Sequence, residues 1–489
     1  MTEVSLSVLV EALRDAKLLA STNGSLPAAV TGVTDDSRAV RAGVLFLAVR
    51  GAERDGHDFL DAAAAAGASA AVVDDSSRTQ LPSIVVNDTR RAAAVVAAAF
   101  HGFPARELRI VGVTGTNGKT TTVGMLRHLL NAPHARAASI GTLGVLIGSA
   151  GEPLDGGSGL TTPGPVELQR VLRALHDRGV RTVAMEISSH ALHQHRVEGL
   201  VVEAGVFTNL TRDHLDYHGT MENYLAAKAL LINLIAPSGA AVVNADDRAW
   251  DALPPAPRTV RFALSTDADV RAEDVRFTPR GSCWTLAVGG ERHAVQLPLI
   301  GDFNVANALA AAAAAWSLSM APRVVAERLT SMPQVPGRLE MVSDRPTVLR
   351  DYAHTPDALE RALDAVRPFT TGTLTVVFGC GGDRDRGKRP EMGRIAERHA
   401  DRVIVTSDNP RTEDPARILD DIEAGMTPGT HERIEDRRAA IARAIESSVE
   451  GDVILLAGKG HETYQIRGTV KYPFDEREIV NEILAQGAV

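Results

Sequence analysis

The sequence predicts an α/β protein of three domains, and three observations lead to that prediction. The chain has 489 residues, more than one hydrophobic core usually organises, and typical domain sizes suggest three units, with two or four as alternatives. Short apolar segments alternate with helical patterns along most of the chain, as in parallel sheets joined by crossover helices. Stretches with Gly and Pro interrupt the alternation at residues 102–104 and 332–337.

Residues 1–105 are predicted to form a smaller α/β N-terminal domain. We expect strands at residues 44–49 and 70–73 and a helix at residues 60–66. Residues 106–335 are predicted to form a central domain with a mostly parallel sheet. Its expected strands are residues 109–113, 182–187, 205–209 and 241–244, and its expected helices are residues 121–130, 166–178 and 221–234.

Residues 336–489 are predicted to form a C-terminal Rossmann-like domain. Strands are expected at residues 347–350, 374–378, 403–406 and 453–456. Each is followed by a polar loop with Gly or Pro and then by a helix, which is the pattern of a second nucleotide-binding-like sheet.

Composition excludes several classes of function. The formal net charge is −9 and no dense Lys/Arg block is present, so nucleic acid is not the expected main partner. The Ala-rich runs 62–66, 92–99 and 310–315 are too short to span a bilayer and indicate buried helices. Only Cys283 and Cys380 are present, and no basic, apolar leader opens the chain. We therefore expect a cytoplasmic protein without membrane insertion.

The most informative motif is the run Gly115-Thr116-Asn117-Gly118-Lys119-Thr120, here called the phosphate loop. It lies between an expected strand and an expected helix, where glycine N–H groups, a lysine and a hydroxyl can bind a nucleoside triphosphate with its magnesium. Val113 stands where the common pattern has a glycine, so the loop is an unusual subtype. The alternative is a glycine-rich turn without a ligand.

Further polar motifs follow expected strands, so we expect them to converge at the carboxyl edges of the sheets. They are Met185–His190, Thr208–Gly219, Asp351–Pro356, Gly379–Lys388, Asp408–Arg411 and Gly458–Glu462. Glu186 could bind a metal or form a salt bridge at a strand end. Four cations after a double glycine in residues 381–389 favour an anion site.

Other residues have simpler interpretations. Lys228 reads as a solvated helix lysine and Arg411 as a surface cation. The histidines 190, 193, 195, 214 and 218 could suggest zinc, but no helical His-Glu-x-x-His is present and neither cysteine is near. Magnesium, which prefers oxygen ligands, is the expected metal.

Taken together, these motifs resemble the Mur ligase family across almost the whole chain. The resemblance includes Gly301-Asp302-Phe303-Asn304-x-x-Asn307 and Gly337-Arg338, in the same order and spacing as in the family. Asp36-Ser37-Arg38, Leu160-Thr161-Thr162-Pro163 and Asp408-Asn409-Pro410-Arg411 are similar to the branch that adds the third residue of the peptidoglycan precursor. The last motif is similar to the meso-diaminopimelate form of that branch, since the lysine-adding form lacks the arginine.

The resemblance implies an activity and its partners. ATP, UDP-N-acetylmuramoyl-L-alanyl-D-glutamate and meso-2,6-diaminopimelate would give the tripeptide precursor, ADP and phosphate through an acyl-phosphate intermediate, and a monomer is expected. The implied catalytic residues are Lys119, Glu186, His214 and Lys228. One Mg²⁺ would be bound by Thr120 and Glu186 and a second by His214 and a carbamylated Lys228, which raises the functional importance of that lysine.

The resemblance also implies the binding residues. ATP would contact Gly115, Thr116, Asn117, Gly118, Lys119, Thr120, Thr121, Asn304, Asn307, Arg338 and His354. The UDP-substrate would contact Asp35, Ser37, Ala52, Glu53, Arg54, Thr161, Thr162, Ser188, Gln194 and Arg196, although Glu53 and Arg54 depart from the smaller or neutral residues expected there. Diaminopimelate would contact Arg384, Asp408, Asn409, Pro410, Arg411, Gly458 and Glu462.

A planar guanidinium matches a carboxylate in two parallel hydrogen bonds, which makes Arg411 the expected specificity residue. Two other functions remain as alternatives. A folylpolyglutamate synthetase shares the core but would not be expected to have this N-terminal segment or residues 408–411. A nucleotide-binding regulator would keep the phosphate loop but would have little use for Glu186, His214 and Lys228 together.

Overall fold

The computed structural model describes residues 3–51, 54–157, 159–278 and 280–486. The chain divides into two compact units. The first comprises the chain up to Arg271 together with Leu309–Val325, and the second comprises Ala272–Ala308 and the chain from Ala326 onward. Among the described residues, no helix is both long and apolar enough to cross a membrane.

The first unit begins with a five-stranded sheet. In spatial order its strands are Leu19–Asn23, Ser83–Val86, Ala70–Val73, Val44–Leu47 and Gly32–Thr34. The first pair is antiparallel and the others are parallel. Helices Leu6–Asp15, Leu60–Ala65 and Thr89–Phe100 accompany it, together with a small ladder of Val4–Ser5 and Ala29–Val30. Alternation of apolar strands with Ala-rich helices therefore gives an α/β arrangement at the N-terminal end of this unit, while the domain bounds 1–105 stay a prediction.

A larger sheet follows in the same unit. In spatial order its strands within this unit are Glu152–Leu154, Gly144–Ile147, Arg136–Gly141, Val180–Glu186, Arg109–Thr114, Val202–Phe207, Ile235–Asn244 and Thr259–Ala263, followed by Val270–Thr278, of which only the first two residues belong to this unit. The strands from Arg136–Gly141 onward pair in parallel. Glu186 lies beside Val113, and Phe207 lies beside Thr114. The phosphate loop therefore emerges between two strands whose carboxyl ends also carry polar motifs.

Helices of this sheet begin and end close to the expected positions, with two informative differences. The helices are Lys119–Leu130, Pro165–Asp177, Ser189–His193, Leu215–His218 and Met221–Ala229. The first begins at Lys119 instead of residue 121, because Gly118 with φ +85° caps it. The expected helix 221–234 is α-helical to Ala229 and continues as the 3₁₀ turn Leu230–Leu234.

The second unit contains a six-stranded sheet. Its strands in spatial order are Glu340–Asp344, Thr347–Asp351, Val453–Ala457, Leu374–Phe378, Arg402–Val405 and Glu432–Arg433, and only the first pair is antiparallel. Its helices are Pro356–Val366, Lys388–His399, Pro415–Glu423, Arg437–Glu446 and Glu476–Gln486. The hairpin Gly281–Val288/Glu291–Leu297 and the small hairpin Tyr464–Arg467/Val470–Pro473 are also present. The chain forms two further helices, Asp302–Ser317 and Pro322–Thr330.

A buried ion pair joins two helices of this second unit. The Arg437 Nε donates to Glu476 Oε1 at 2.7 Å, and neither side chain is exposed. We expect Arg437→Met to lower the free energy of unfolding by about 3 kcal/mol, because it leaves a buried carboxylate without its cation. Urea unfolding checks this value. The double variant with Glu476→Leu should recover about half of the loss, since two apolar side chains replace the pair; a double variant as unstable as the single one contradicts the explanation.

Candidate active site

The phosphate loop is held by the polar segment that follows the neighbouring strand. The Thr116 N–H donates to Asn209 O at 2.7 Å, and the Asn117 N–H donates to Asn209 Oδ1 at 2.8 Å. Gly115 has φ +149°, and a Cβ there would lie 1.9 Å from Thr208 Oγ1. A glycine is therefore required at position 115 for this close approach.

Lys119 and Thr120 occupy the first turn of the helix after the loop. The Lys119 ammonium donates to Gly115 O at 2.9 Å and to Thr116 O at 2.8 Å. Thr120 and Thr121 are buried. The loop thus combines a helix N-terminus with the Lys119 cation and the buried Thr120 hydroxyl, which are groups that can bind a triphosphate.

Glu186 is buried at the end of its strand. Its Oε1 accepts from the Thr142 N–H at 2.8 Å and its Oε2 from the Thr142 hydroxyl at 3.2 Å. A Cβ at Gly141 would lie 2.2 Å from Glu186 Oε1, so position 141 also requires a small residue. Both carboxylate oxygens of Glu186 thus accept from neutral donors. Thr142 was not found by sequence reasoning; its only signal is that it follows a strand.

Lys228 is buried, unlike the solvated helix lysine that its local pattern favours. Its Nζ donates to Gly115 O at 2.7 Å and lies 4.4 Å from the centre of the Tyr224 ring. Burial, followed by the positive charge of Lys119, holds the pKa of Lys228 well below its usual value. Two lysine side chains therefore share one carbonyl oxygen beneath the phosphate loop.

His214 belongs to a cluster of rings near Lys228. It has φ +53°, and its ring centre lies 4.8 Å from that of His190 in an edge-to-face arrangement. Burial is the main cause that keeps the pKa of His214 below its ordinary value. The negative charge of Asp213 opposes this shift, and the positive charges of Lys119 and Lys228 add to it. The cluster also contains His193, Tyr217, His218 and Tyr224. In the part of the chain that the structure describes, no group of three or more His, Cys, Asp or Glu side chains is arranged to bind a metal by itself.

The residues expected at the muramoyl-dipeptide form a connected network. The Thr162 hydroxyl donates to Glu186 O at 2.9 Å and accepts from the Ser188 N–H at 3.0 Å. The Arg196 guanidinium donates to Gln194 Oε1 and, at 3.2 Å, to Thr162 O. Thr161 Oγ1 lies 3.4 Å from the Thr142 hydroxyl. The network connects this set directly to Glu186.

The residues expected at the UDP portion lie in the N-terminal part of the same unit. Burial raises the pKa of Asp35, while the charge of Arg196 opposes the shift. Ser37 begins a 3₁₀ turn that Asp36 caps. Arg54 O accepts from the Gly51 N–H at 2.8 Å. Ala52 and Glu53 lie outside the described residues, and their contacts with a substrate stay a prediction.

Within the second unit, two residues expected at ATP converge on Tyr352. The Arg338 guanidinium lies 5.0 Å from the centre of the Tyr352 ring, and the His354 ring lies 4.7 Å from it. Asn304 is buried and donates to Ile300 O at 2.7 Å, while its Oδ1 has no hydrogen-bond partner among the described residues. Asn307 is also buried. Tyr352 was missed by sequence reasoning although it lies inside the motif Asp351–Pro356.

The residues expected at diaminopimelate also meet within the second unit. Asn409 Nδ2 donates to Glu462 Oε2 at 2.8 Å. Asp408 is buried, and its Oδ2 makes no hydrogen bond within the described part of the chain. A Cβ at Gly458 would lie 2.7 Å from that oxygen, so a side chain at position 458 would collide with the carboxylate. Asp408, Asn409, Gly458 and Glu462 are here called the amino-acid pocket.

Arg411 adjoins this pocket in a left-handed backbone conformation, with φ +51°. The Arg411 guanidinium donates to Gly382 O at 2.8 Å, and the backbone N–H of Arg411 donates to Ile466 O at 3.1 Å. A Cβ at Gly381 would lie 2.9 Å from Arg411 Nη1 and 3.7 Å from Arg384 Cγ. Both arginines therefore lie against the same double glycine, and Pro410 precedes Arg411 in the turn.

Arg389 fixes the loop that carries Arg384, a role that sequence reasoning did not foresee. Its guanidinium is fully buried and donates to Glu413 at 2.9 and 3.0 Å and to Asp421 at 2.8 Å. This pairing holds the pKa of Glu413 down at about 2. Of the four cations that favoured an anion site, one is therefore structural.

Comparisons with known proteins identify the family of the chain. The model of the Mur ligase family catalytic domain matches residues 29–108, that of the Mur ligase middle domain matches residues 113–315, and that of the Mur ligase glutamate ligase domain matches residues 337–460. A protein of Synechococcus elongatus named UDP-N-acetylmuramoyl-L-alanyl-D-glutamate–2,6-diaminopimelate ligase is 45% identical over 485 residues, covering 96% of this chain and 97% of that protein.

Two solved structures are also similar. One is a UDP-N-acetylmuramoyl-L-alanyl-D-glutamate–2,6-diaminopimelate ligase with 34% identity, full coverage of both chains (100%) and a TM-score of 0.71. The other is a Mycobacterium tuberculosis folylpolyglutamate synthase complexed with ADP, with 21% identity and a TM-score of 0.63, covering 76% of this chain and 91% of that chain. At that identity, the second likeness concerns the fold alone.

The chain therefore belongs to the Mur ligase family of ATP-dependent amide ligases. It is an enzyme that joins a carboxylate to an amine with the use of ATP. Within the family it groups with the MurE ligases, the branch that its N-terminal and Asp408–Arg411 motifs resemble.

Proposed function

We propose that the enzyme adds meso-diaminopimelate to UDP-N-acetylmuramoyl-L-alanyl-D-glutamate in peptidoglycan precursor synthesis, through an acyl phosphate of the acceptor carboxylate. The observation that carries the proposal is the pairing of opposite charges in the second unit. Arg411 and Arg384 lie beside one double glycine, and Asp408 and Glu462 lie in the adjoining amino-acid pocket. Cations beside carboxylates suit the zwitterionic distal end of diaminopimelate.

The acyl phosphate explains why the phosphate loop is needed. A carboxylate is a poor acyl donor because its leaving group would be oxide, so the γ-phosphoryl group of ATP is transferred to it first. The amine then attacks the acyl carbon and phosphate leaves. Lys119 supplies a positive charge beside the phosphoryl group, and the N-terminus of the helix that begins at Lys119 favours its anionic oxygens. The main contribution of the protein to this step is to orient two anionic reactants, ATP and the carboxylate, toward each other.

The side-chain types of Thr120 and Glu186 fit magnesium. Thr120 offers a hydroxyl and Glu186 a buried carboxylate, and Mg²⁺ is normally bound through one or two such oxygen ligands together with water and phosphate. His214 adds one imidazole nitrogen. When bound, the metal neutralises charge on the phosphates. We propose that Thr120 and Glu186 hold one ion and that His214 and a carbamylated Lys228 hold a second.

Carbamylation agrees with the surroundings of Lys228. Only a neutral amine reacts with carbon dioxide, and burial favours the neutral form of this side chain. The product is an anionic oxygen ligand, which removes the conflict of a buried cation in a cation-binding site. The network of Thr162, Ser188 and Arg196 would hold the acceptor carboxylate near Glu186.

A folylpolyglutamate synthetase is the weaker candidate. The likeness to the folylpolyglutamate synthase leaves about a quarter of this chain unmatched, because it covers 76% of it. The diaminopimelate ligase of Synechococcus elongatus is similar over 96% of it. No specific observation therefore favours a folylpolyglutamate synthetase over a diaminopimelate ligase.

An ADP-release assay with the UDP-dipeptide tests the proposal. We expect turnover with meso-diaminopimelate, and weak turnover with L-lysine, which lacks the distal carboxylate. Turnover with amidated diaminopimelate shows whether the distal group of the substrate must carry a negative charge. UDP-dipeptide labelled with ¹⁸O in its reacting carboxyl group should transfer the label to the released phosphate, and unlabelled phosphate would exclude the acyl phosphate. Turnover with folate in place of the UDP-dipeptide would favour a folylpolyglutamate synthetase.

A further inference from the structure

A lysine with no role so far lies buried beside the amino-acid pocket. The Lys459 side chain is fully buried, and its ammonium donates to Asn409 Oδ1 at 3.2 Å and to Glu462 Oε2 at 2.9 Å. The rings of Tyr464 and Phe474 lie 5.9 Å from the same nitrogen. A fully buried lysine usually requires such partners to balance its charge. Here both polar partners are pocket residues.

Lys459 determines which way the Asn409 amide faces. An ammonium group can only donate hydrogen bonds, so the amide oxygen must be the atom that faces it. The Ile466 N–H donates to the same oxygen at 2.9 Å. The amide nitrogen is consequently directed at Glu462 Oε2, at 2.8 Å. A reversed amide would place its N–H₂ group against two other donors.

The same arrangement determines which oxygen of Glu462 is available. Oε2 accepts from both Lys459 and Asn409, whereas neither of these donors engages Oε1. The side chain is 15% exposed. Glu462 is thus clamped through one oxygen, and its other oxygen is left for a ligand. Carboxylate orientation of this kind needs a partner that does not itself move.

We propose that Lys459 is a positioning residue for the amino-acid substrate. It clamps Asn409 and Glu462 so that Glu462 Oε1 faces the distal ammonium group of the substrate. The proposal rests on the proposed function, because it takes diaminopimelate as the amine. Lys459 does not contact the substrate; it acts through Glu462.

The test compares two amine substrates in the intact enzyme. One is meso-diaminopimelate, and the other is the α-amino diacid of the same chain length without the distal amino group, here called aminopimelate. In the unsubstituted enzyme we expect aminopimelate to have a KM about tenfold higher or more, since it loses a charge-assisted hydrogen bond. In Lys459→Met the KM for diaminopimelate should rise about tenfold and approach that for aminopimelate, while the KM values for ATP and the UDP-dipeptide stay within about twofold.

The KM ratio separates positioning from general damage. A structural lesion would raise both KM values together and keep their ratio, which would overturn the proposal. Lys471→Met is the matched control, because Lys471 is exposed and lies 4.0 Å from the same Tyr464 ring; its ratio should not change. Lys459→Leu, which also removes the donors, carries the same test if thermal unfolding shows that Lys459→Met does not fold.

The outcome also separates this inference from the proposed function. Turnover of diaminopimelate by the unsubstituted enzyme, with an unchanged ratio in both Lys459 variants, refutes the role of Lys459 alone. Absence of turnover with diaminopimelate refutes the proposed function, and the inference with it.

Discussion

Lys228→Ala is expected to lower kcat by about 1000-fold, because it removes the anionic ligand that the proposed carbamate supplies next to the transferring phosphoryl group. Lys228 is buried beneath the phosphate loop and reaches Gly115 O at 2.7 Å. The alanine variant leaves space where the side chain was. Small carboxylic acids such as acetate or formate should restore part of the activity, since they return an oxygen anion to that space. ADP release at increasing acid concentration measures the rescue.

Two controls make the Lys228 result specific. Lys471→Ala removes an exposed lysine and should leave both activity and the response to acids unchanged. Thermal unfolding of Lys228→Ala shows whether the loss reflects folding. Unimpaired turnover of the folded variant would remove the carbamate from the mechanism. A loss that no acid relieves, with the fold intact, would assign the lysine a role as a cation instead.

Local sequence patterns were sufficient to predict many of the buried parallel strands, but they missed others, such as Ser83–Val86 and Arg136–Gly141. The strand Ala70–Val73 has the expected bounds, and the strands at residues 374–378 and 453–456 differ from Leu374–Phe378 and Val453–Ala457 by at most one residue. Buried parallel strands are short, apolar and bounded by polar turns, so the signal lies within each segment. Strand ends were less clear: Ile235–Asn244 begins six residues before the expected strand at residue 241 and includes Ala-Pro-Ser-Gly, which carries no strand signal.

The site was predictable in its motifs but not in its supporting contacts. Phosphate-loop residues and strand-end carboxylates follow from position in a parallel sheet. The burial of Lys228 and Lys459 does not, because it depends on contacts with residues far away in sequence: Gly115 for the first, and Asn409 for the second. A lone lysine in a helix or between two glycines has the same local pattern whether it is solvated or buried.

Arg411→Asn is expected to lower kcat/KM with meso-diaminopimelate by about 100-fold, while activity with L-lysine changes by only a few-fold. Arg411 lies beside the amino-acid pocket, and its guanidinium is held against Gly382 O at 2.8 Å. Only diaminopimelate has a distal carboxylate for this group to bind. Asparagine tolerates the left-handed backbone at this position, where φ is +51°. The substitution therefore removes the charge with little strain.

The ratio of the two activities is the decisive measurement for Arg411. Arg417→Asn, at an exposed position of the neighbouring helix Pro415–Glu423, is the matched control and should leave the ratio unchanged. Equal losses with diaminopimelate and L-lysine would mean that Arg411 supports the turn and does not recognise the carboxylate. A selective loss, with amidated diaminopimelate affected less than the free acid, would assign the guanidinium to the distal carboxylate, because the amide cannot accept the same charge-assisted pair of hydrogen bonds.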